Sequence, residues 1–161
     1  MTTAFLAAAF TVGLIAGCAL SLLFRGGGPR GRSLPGKAAL VEHSPVGTLI
    51  LDPSLRVSFA NEAFCRFFTL AASDVVGQEM QDVIETRLKS FVEQPGTLES
   101  SLLSAYATGA PASSVEIHLL PEGPREQLWL EHTSHEITEG PMAGHRVAYF
   151  IDITPPMSLA V

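Results

Sequence analysis

The feature that most constrains how this chain folds is an uncharged apolar run near its N-terminus, from Ala4 to Phe24. As a helix, a run of this length would be about 31 Å long, close to the thickness of the hydrocarbon core of a bilayer. We therefore expect one transmembrane helix over residues 4–24, with any globular domain following it.

Basic residues fix the expected orientation of that helix. Arg25, Arg30, Arg32 and Lys37 follow the apolar run, and no acidic residue lies among them. Lys and Arg next to a span stay on the cytoplasmic side. The sequence thus predicts a single-pass protein of the cell inner membrane with its domain in the cytoplasm. The stretch 25–37, rich in Gly, Pro and Arg, is interpreted as a flexible linker that meets anionic lipid headgroups.

Cys18 raises an alternative to a simple span. The residues Ile15-Ala16-Gly17-Cys18 resemble a bacterial lipobox, which would make the chain a lipoprotein lipidated at Cys18. Against this, the sequence stays apolar after Cys18, and the arginines follow the run instead of preceding it. A small buried cysteine in a membrane helix is the preferred interpretation. With Cys65 as the only other cysteine, no disulfide framework is expected.

Small residues recur every four positions along the run, at Ala9, Gly13, Gly17 and Ser21. This spacing places them in one stripe of a helix, and such stripes let two membrane helices approach closely. The pattern predicts a homodimer through the anchor. The alternative, that small residues are simply frequent in membrane spans, stays open.

The rest of the chain is acidic. From Ala38 onward there are 6 basic and 16 acidic residues, a formal net charge of −10. Phosphate backbones would be repelled by such a domain, and no basic patch with interleaved aromatic residues is present. We therefore expect no nucleic-acid partner.

Residues 38–154 show mixed α and β patterns. Helices are predicted over 38–43, 62–68 with Asn61 as the N-cap, 81–91 and 98–108; strands are predicted over 47–52, 56–60, 114–120, 127–138 and 146–154. Consecutive strands with short connections predict an α+β domain, a five-stranded antiparallel sheet with short helices on one side. Residues 155–161 form a short tail.

Three motifs in order resemble those of the PAS sensor domains. Gly47–Asp52 matches the first strand of that family, Asn61–Phe64 opens its first helix with Val76-Gly77 a turn later, and Tyr149–Thr154 is similar to its closing strand with the Asp-Ile-Thr signature. The resemblance covers residues 38–154. It implies a PAS-like fold and a module that couples a sensed ligand or light to an output, usually as a pair of subunits.

The known cofactors of this family match poorly. Haem-binding members use a His on the long helix before the third strand, whereas no His lies here between His43 and His118. Flavin-binding members carry a photoactive Cys, and counting on from Gly77 puts Met80 at that position. The triplet that begins at Cys65 resembles part of the flavin motif but precedes Gly77. We expect no cofactor.

Neither a metal site nor an enzyme emerges. His132 and His135 are three apart in a predicted strand and should point to opposite faces, whereas a tetrahedral site needs converging ligands. The chain has no Gly-x-Ser-x-Gly, no His-Glu-x-x-His and no recognisable Ser/His/Asp arrangement. The sequence therefore predicts a non-catalytic protein without a bound metal.

What remains is an apolar interior between the predicted sheet and helices. The candidates to line a cavity there are Phe59, Phe64, Phe67, Phe68, Met80, Val83, Ile84, Leu88, Phe91, Ile117 and Trp129. A closed and filled core is the favoured alternative. A ligand pocket follows from the family resemblance and not from these residues.

The sequence after the last predicted strand bears on output. Pro155-Pro156 follow Thr154, and Met157–Val161 are too short for a stable helix. We therefore expect no output domain C-terminal on this chain, and a signal that leaves through a partner or the N-terminal helix. Two functions stay open: a membrane-tethered sensor that binds a small ligand and acts in trans on an unidentified signalling protein, or a ligand-free docking or dimerisation module. A fragment or a degenerate sensor is a further alternative.

Overall fold

The structure, a computed structural model, describes residues 35–108 and 112–155. This part of the chain contains four α-helices and five β-strands. The helices are α1 (Pro35–Glu42), α2 (Glu62–Phe67), α3 (Met80–Val83) and α4 (Pro95–Thr108). The strands are β1 (Gly47–Leu51), β2 (Val57–Ala60), β3 (Ala112–Leu119), β4 (Leu128–Glu136) and β5 (Arg146–Asp152).

Within residues 35–108 and 112–155, no helix has the length and hydropathy needed to cross a bilayer. The predicted span over residues 4–24 lies outside the described residues. So do Cys18, the small-residue stripe, most of the predicted linker and the tail after Pro155.

All five strands form one antiparallel sheet in the order β2-β1-β5-β4-β3, which confirms the predicted sheet. The last strand is therefore central and pairs with the first. Gly47 at the start of β1 lies opposite Phe150 near the end of β5, so the chain enters and leaves the sheet at the same end.

Gly47 is also a point of close approach. A Cβ atom there would lie 3.1 Å from the ring of Phe67 and 3.2 Å from Cβ of Phe150. Only glycine lets α2 pack this tightly over the start of β1.

Strand alternation divides the apolar residues between the two faces of the sheet. On β5, Ala148 and Phe150 join the main core beneath α2, α3 and α4, whereas Val147 and Tyr149 join a smaller cluster on the opposite face. Val41 of α1 packs in that smaller cluster. The prediction that all helices lie on one side is therefore wrong for α1, which contributes to the other face.

Two helices begin earlier than predicted, and both begin at proline. α1 starts at Pro35, inside the expected linker, and α4 starts at Pro95, where the Pro-Gly pair predicted a break. Proline fits the first helical position because its missing N–H would be unpaired there anyway. The predicted helix over 81–91 is only partly regular: α3 widens into a π-helical turn (Ile84–Leu88) and then tightens into a 3-10 turn (Lys89–Phe91).

Asn61 joins α1, β1 and α2 through four hydrogen bonds while fully buried. Its Oδ1 accepts from the backbone N–H groups of Thr48 at 2.8 Å and Phe64 at 3.0 Å. Its Nδ2 donates to the carbonyls of Val41 and Val46, both at 2.9 Å. The side chain thus caps α2, as predicted, and also anchors the end of α1 to the sheet.

Candidate functional site

Aromatic rings fill the space between the helices and the sheet. The ring of Phe64 lies 5.0 Å from that of Phe68 and 5.2 Å from that of Phe150, and the rings of Phe68 and Phe150 are 5.6 Å apart. These are the spacings of directly packed aromatic side chains. All three side chains are fully buried. This part of the interior is a closed core.

Ten of the eleven predicted cavity-lining residues, all but Trp129, separate into three groups. Buried in the main core are Phe64, Phe67, Phe68, Met80, Val83, Ile84, Leu88 and Ile117. Phe59 lies on the opposite face of the sheet, beside Ile50, so its assignment to the interior was wrong. Phe91 is partly buried at the edge of the core, with the guanidinium of Arg125 5.2 Å from its ring.

A cavity of about 190 Å³ does occur, at the outer edge of the sheet where β3 meets the start of α4. Val92, Leu98 and Ile117 form its wall on the core side, and Trp129 lines it from the opposite face of the sheet. Glu93, Glu116 and His118 line its polar rim. Of the predicted residues, Ile117 and Trp129 line this cavity.

His118 is held between an aromatic ring and a carboxylate. Its imidazole stacks on the indole of Trp129 with ring centres 4.1 Å apart and planes 9° apart. Its Nδ1 lies 2.9 Å from a carboxylate oxygen of Glu93, and only 15% of its side chain is exposed. Because both rings are fixed, this part of the rim is ordered before any ligand arrives.

Trp129 also connects the cavity to the end of the last strand. Its backbone N–H donates to Oγ1 of Thr154 at 2.9 Å, and its carbonyl accepts from the N–H of Ile153 at 2.8 Å. The N–H of Thr154 in turn donates to Oδ1 of Asp152 at 2.9 Å. The Asp-Ile-Thr signature thus continues the pairing of β5 with β4 as far as Trp129, which lines the cavity.

A second polar group is buried on the helix-facing side of the sheet. Arg146 of β5 is 3% exposed; it donates to the hydroxyl of Ser134 at 3.0 Å, and its guanidinium carbon lies 5.4 Å from the ring of Tyr106 on α4. Burial raises the pKa of the Tyr106 phenol, and the charge of Arg146 opposes that effect. The phenol is therefore neutral at any physiological pH.

His132 lies two residues before Ser134, on the same face of β4. Its ring is fully buried, with its centre 4.7 Å from that of Phe150. The pKa of His132 is lowered to about 3: burial is the main cause, the nearby backbone of Tyr149 opposes it, and the charge of Arg146 adds to it. Neither ring nitrogen makes a hydrogen bond of normal geometry. His132 is thus a neutral imidazole in the core.

His135 lies on the opposite face from His132, as strand alternation predicted, with its ring 5.8 Å from that of Tyr149. The two histidines therefore do not converge on one ion. Among residues 35–108 and 112–155, no cluster of three or more His, Cys, Asp or Glu side chains is placed to hold a metal.

The residues present do not fit a photoactive flavin. Met80 is fully buried at the start of α3, and its thioether has no thiol to form an adduct with a flavin. Cys65 lies on α2, where burial, followed by the charges of Glu42 and Asp74, raises the pKa of its thiol. Little reactive thiolate is therefore present at neutral pH. A flavin-sized group would also have to displace the packed rings described above.

Purified full-length protein is accordingly expected to show no visible absorption. The check is an absorption spectrum recorded after purification without denaturants. The spectrum of a haem or a flavin in that preparation would contradict the expectation.

Known proteins share this fold. A family model described as "PAS fold" matches residues 41–155. Among solved structures, an RNA-binding light-oxygen-voltage receptor is similar with a TM-score of 0.57 and 23% identity, over 80% of this chain and 36% of that one. A light-oxygen-voltage protein of Rhodobacter sphaeroides is similar with a TM-score of 0.53 and 15% identity, over 74% of this chain and 65% of that one. A PAS domain of a protein from Colwellia psychrerythraea is similar with a TM-score of 0.51 and 14% identity, over 75% of this chain and 97% of that one.

These structural likenesses, all below 25% identity, establish the fold alone. The chain spans about a third of the length of the light-oxygen-voltage receptor that it matches. Among proteins of curated function, none matches this chain.

Proposed function

This chain belongs to the PAS family, whose members are sensory and signalling modules, and we propose that it is a membrane-anchored, non-catalytic member that acts in trans on a partner protein. The observation that carries the proposal is the position of Trp129. Its side chain lines the cavity, while its backbone is bonded to Ile153 and Thr154. A molecule in the cavity therefore contacts Trp129, the same residue that is hydrogen-bonded to the chain at the end of β5.

The anchor is proposed from the apolar run over residues 4–24 and the arginines that follow it. The same run carries the stripe that includes Gly13 and Gly17, which supports a homodimer. The domain would then lie in the cytoplasm, close to the membrane surface.

Action through a partner is proposed from the two prolines after Thr154. A residue that precedes a proline is disfavoured in the helical conformation, and Pro155 precedes Pro156. β5 therefore does not run directly into a continuous output helix. A surface that binds a separate signalling protein supplies the output instead.

The filled interior favours a second candidate, a ligand-free docking or dimerisation module. Phe64, Phe68 and Phe150 occupy the space in which an internal ligand would lie. In this alternative the domain signals by its oligomeric state and its contacts alone. No nucleic-acid partner is proposed in either case, because the domain is acidic.

The anchor is tested with topology reporters in a bacterial host. Full-length chain fused after Val161 to alkaline phosphatase or to β-galactosidase should give β-galactosidase activity only, because the fusion point is cytoplasmic. Deletion of residues 4–24 should release the chain from the membrane fraction. Phosphatase activity, or acylation of Cys18, would instead support a lipoprotein outside the cytoplasm.

Native mass spectrometry of the detergent-extracted chain separates the two candidates. A dimer that carries one extra small molecule per subunit supports the sensor. A dimer with the bare mass of two chains supports the docking module. A monomer without added mass would count against both.

A further inference from the structure

The outer edge of β3 is only half covered. The segment after the 3-10 turn runs beside the end of this strand, where the N–H of Leu120 donates to the carbonyl of Phe91 at 2.7 Å and the N–H of Glu93 donates to that of His118 at 3.0 Å. Beyond Glu93 the chain turns away into α4, which starts at Pro95.

The uncovered part of the edge begins at Glu116. Residues two apart in a strand present their backbone groups in the same direction, so the N–H and C=O of Glu116 point outward like the carbonyl of His118. Among the residues that the structure describes, none hydrogen-bonds to these groups of Glu116. An exposed strand edge of this kind is a template for an added strand.

The cavity lies where the covering segment leaves the edge. Its inner wall is apolar, from Leu98 and Ile117, and its rim carries the carboxylates of Glu93 and Glu116. The volume of this cavity is about 190 Å³. This space suits a side chain with an apolar stem and a cationic tip, which packs its methylenes on the wall and keeps its charge at the rim.

Charge selects the kind of occupant. From Ala38 onward the chain carries a formal net charge of −10, so a basic segment is attracted to this domain and an acidic one is repelled. Glu93 is half exposed and already paired with His118, whereas Glu116 has no ion-pair partner among the described residues. The rim therefore keeps an excess of negative charge.

We propose that the edge of β3 at Glu116 docks an extended segment of a partner protein as an added strand, with a Lys or Arg side chain in the cavity beside Glu93. The inference rests on the proposed action in trans and names the chemistry of the partner. Backbone pairing supplies the register, and the two carboxylates supply the preference for a basic residue.

The test uses full-length chain in detergent and the peptide acetyl-Thr-Lys-Val-Lys-Thr-amide as the probe. Because Trp129 is the only tryptophan of the chain and lines the cavity, its fluorescence reports occupancy without a label. We expect a saturable change in emission that weakens as salt is added. Glu93→Gln and Glu116→Gln should each weaken binding about tenfold, since each removes one charge-assisted contact. The matched control Glu126→Gln, at an exposed acid outside the cavity, should bind as the wild type does.

Three further probes separate the parts of the proposal. A peptide with Glu in place of both Lys residues, and one N-methylated at alternate amides, should both fail to bind. Equal binding of either, or no binding of the basic peptide to folded protein, would overturn the docking site. Equal binding of the single amino acid derivative acetyl-lysine-amide would overturn it as well, because it would make the cavity a site for small amines.

Failure of this inference is distinguishable from failure of the proposed function. The topology reporters and the native mass spectrum do not depend on Glu93 or Glu116. If they give the expected results while peptide binding fails, the docking site alone is wrong. If the reporters fail while the peptide binds, the site stands and the anchor does not.

Discussion

Replacement of Asn61 by alanine is expected to lower the free energy of unfolding by about 4 kcal/mol, because it removes four hydrogen bonds and leaves two buried backbone N–H groups, those of Thr48 and Phe64, without partners. The carbonyls of Val41 and Val46 each lose one bond but keep a second donor, the N–H of Ser44 and the hydroxyl of Thr48. The loss should be seen in urea denaturation of the full-length chain in mild detergent, as a lower midpoint.

Two variants show which bonds matter. Asn61→Asp keeps an acceptor for Thr48 and Phe64 but loses both donated bonds, so it should also destabilise the domain strongly. Gln81→Ala removes an exposed amide and should change stability by less than about 0.5 kcal/mol. If Asn61→Ala were as mild as Gln81→Ala, the junction between α1, β1 and α2 would not depend on this side chain.

Lowering the pH from 7 to 4 should cost the domain about 3 kcal/mol of stability through His132 alone. Its pKa is about 3 in the folded protein, below the ordinary value of 6.5 for the unfolded chain. Between those two values the unfolded state binds more protons than the native state, so stability falls as the pH falls. Above pH 6.5 this contribution is fully present and constant.

The measurement is the unfolding free energy of wild type and His132→Leu as a function of pH. Carboxylates titrate in the same range, so the quantity that counts is the difference between the two curves. That difference should change by about 3 kcal/mol between pH 7 and pH 4. The control Gln81→Ala removes an exposed amide that carries no titratable group and should leave the slope as in the wild type. Parallel curves for wild type and His132→Leu would contradict a buried neutral histidine.

The sheet was predictable from the sequence because its signals are local. Alternation along β3 and β4 and the apolar stretch of β5 each lie within a few residues, and the family motifs added their order. Helix starts were less predictable. Pro35 was assigned to the linker and Pro95 to a break between two helices, although proline is equally compatible with the first position of a helix.

Most of the candidate site could not be predicted from the sequence, because its residues are far apart in the chain. Glu93 and His118 are 25 positions apart and meet only when the segment after the 3-10 turn pairs with β3. Alternation placed Glu116 and His118 on one side of β3, but nothing local connected them to Glu93. Phe59 was assigned to the wrong face because the pairing of β1 with β2 shifts register between Ile50 and Leu51, so that Val57 faces the main core whereas Phe59, two residues later, packs in the smaller cluster.

The buried polar cluster was missed as well. Arg146 was assigned only to the start of the last strand, whereas β5 is the central strand of the sheet and both of its faces are covered. A signal was available in the pattern: Arg146, Ala148 and Phe150 share one face of that strand. This pattern did not suggest a buried side chain, because arginine is usually exposed.

The pairing of Gly47 with Phe150 has a mechanical consequence. Because β1 and β5 are antiparallel neighbours, the chain enters and leaves the domain on adjacent strands at the same end of the sheet. A force applied between those two points breaks the hydrogen bonds between β1 and β5 one after another, because it does not load all of them at once. Such a domain yields to pulling from its ends far more readily than its buried core alone would suggest.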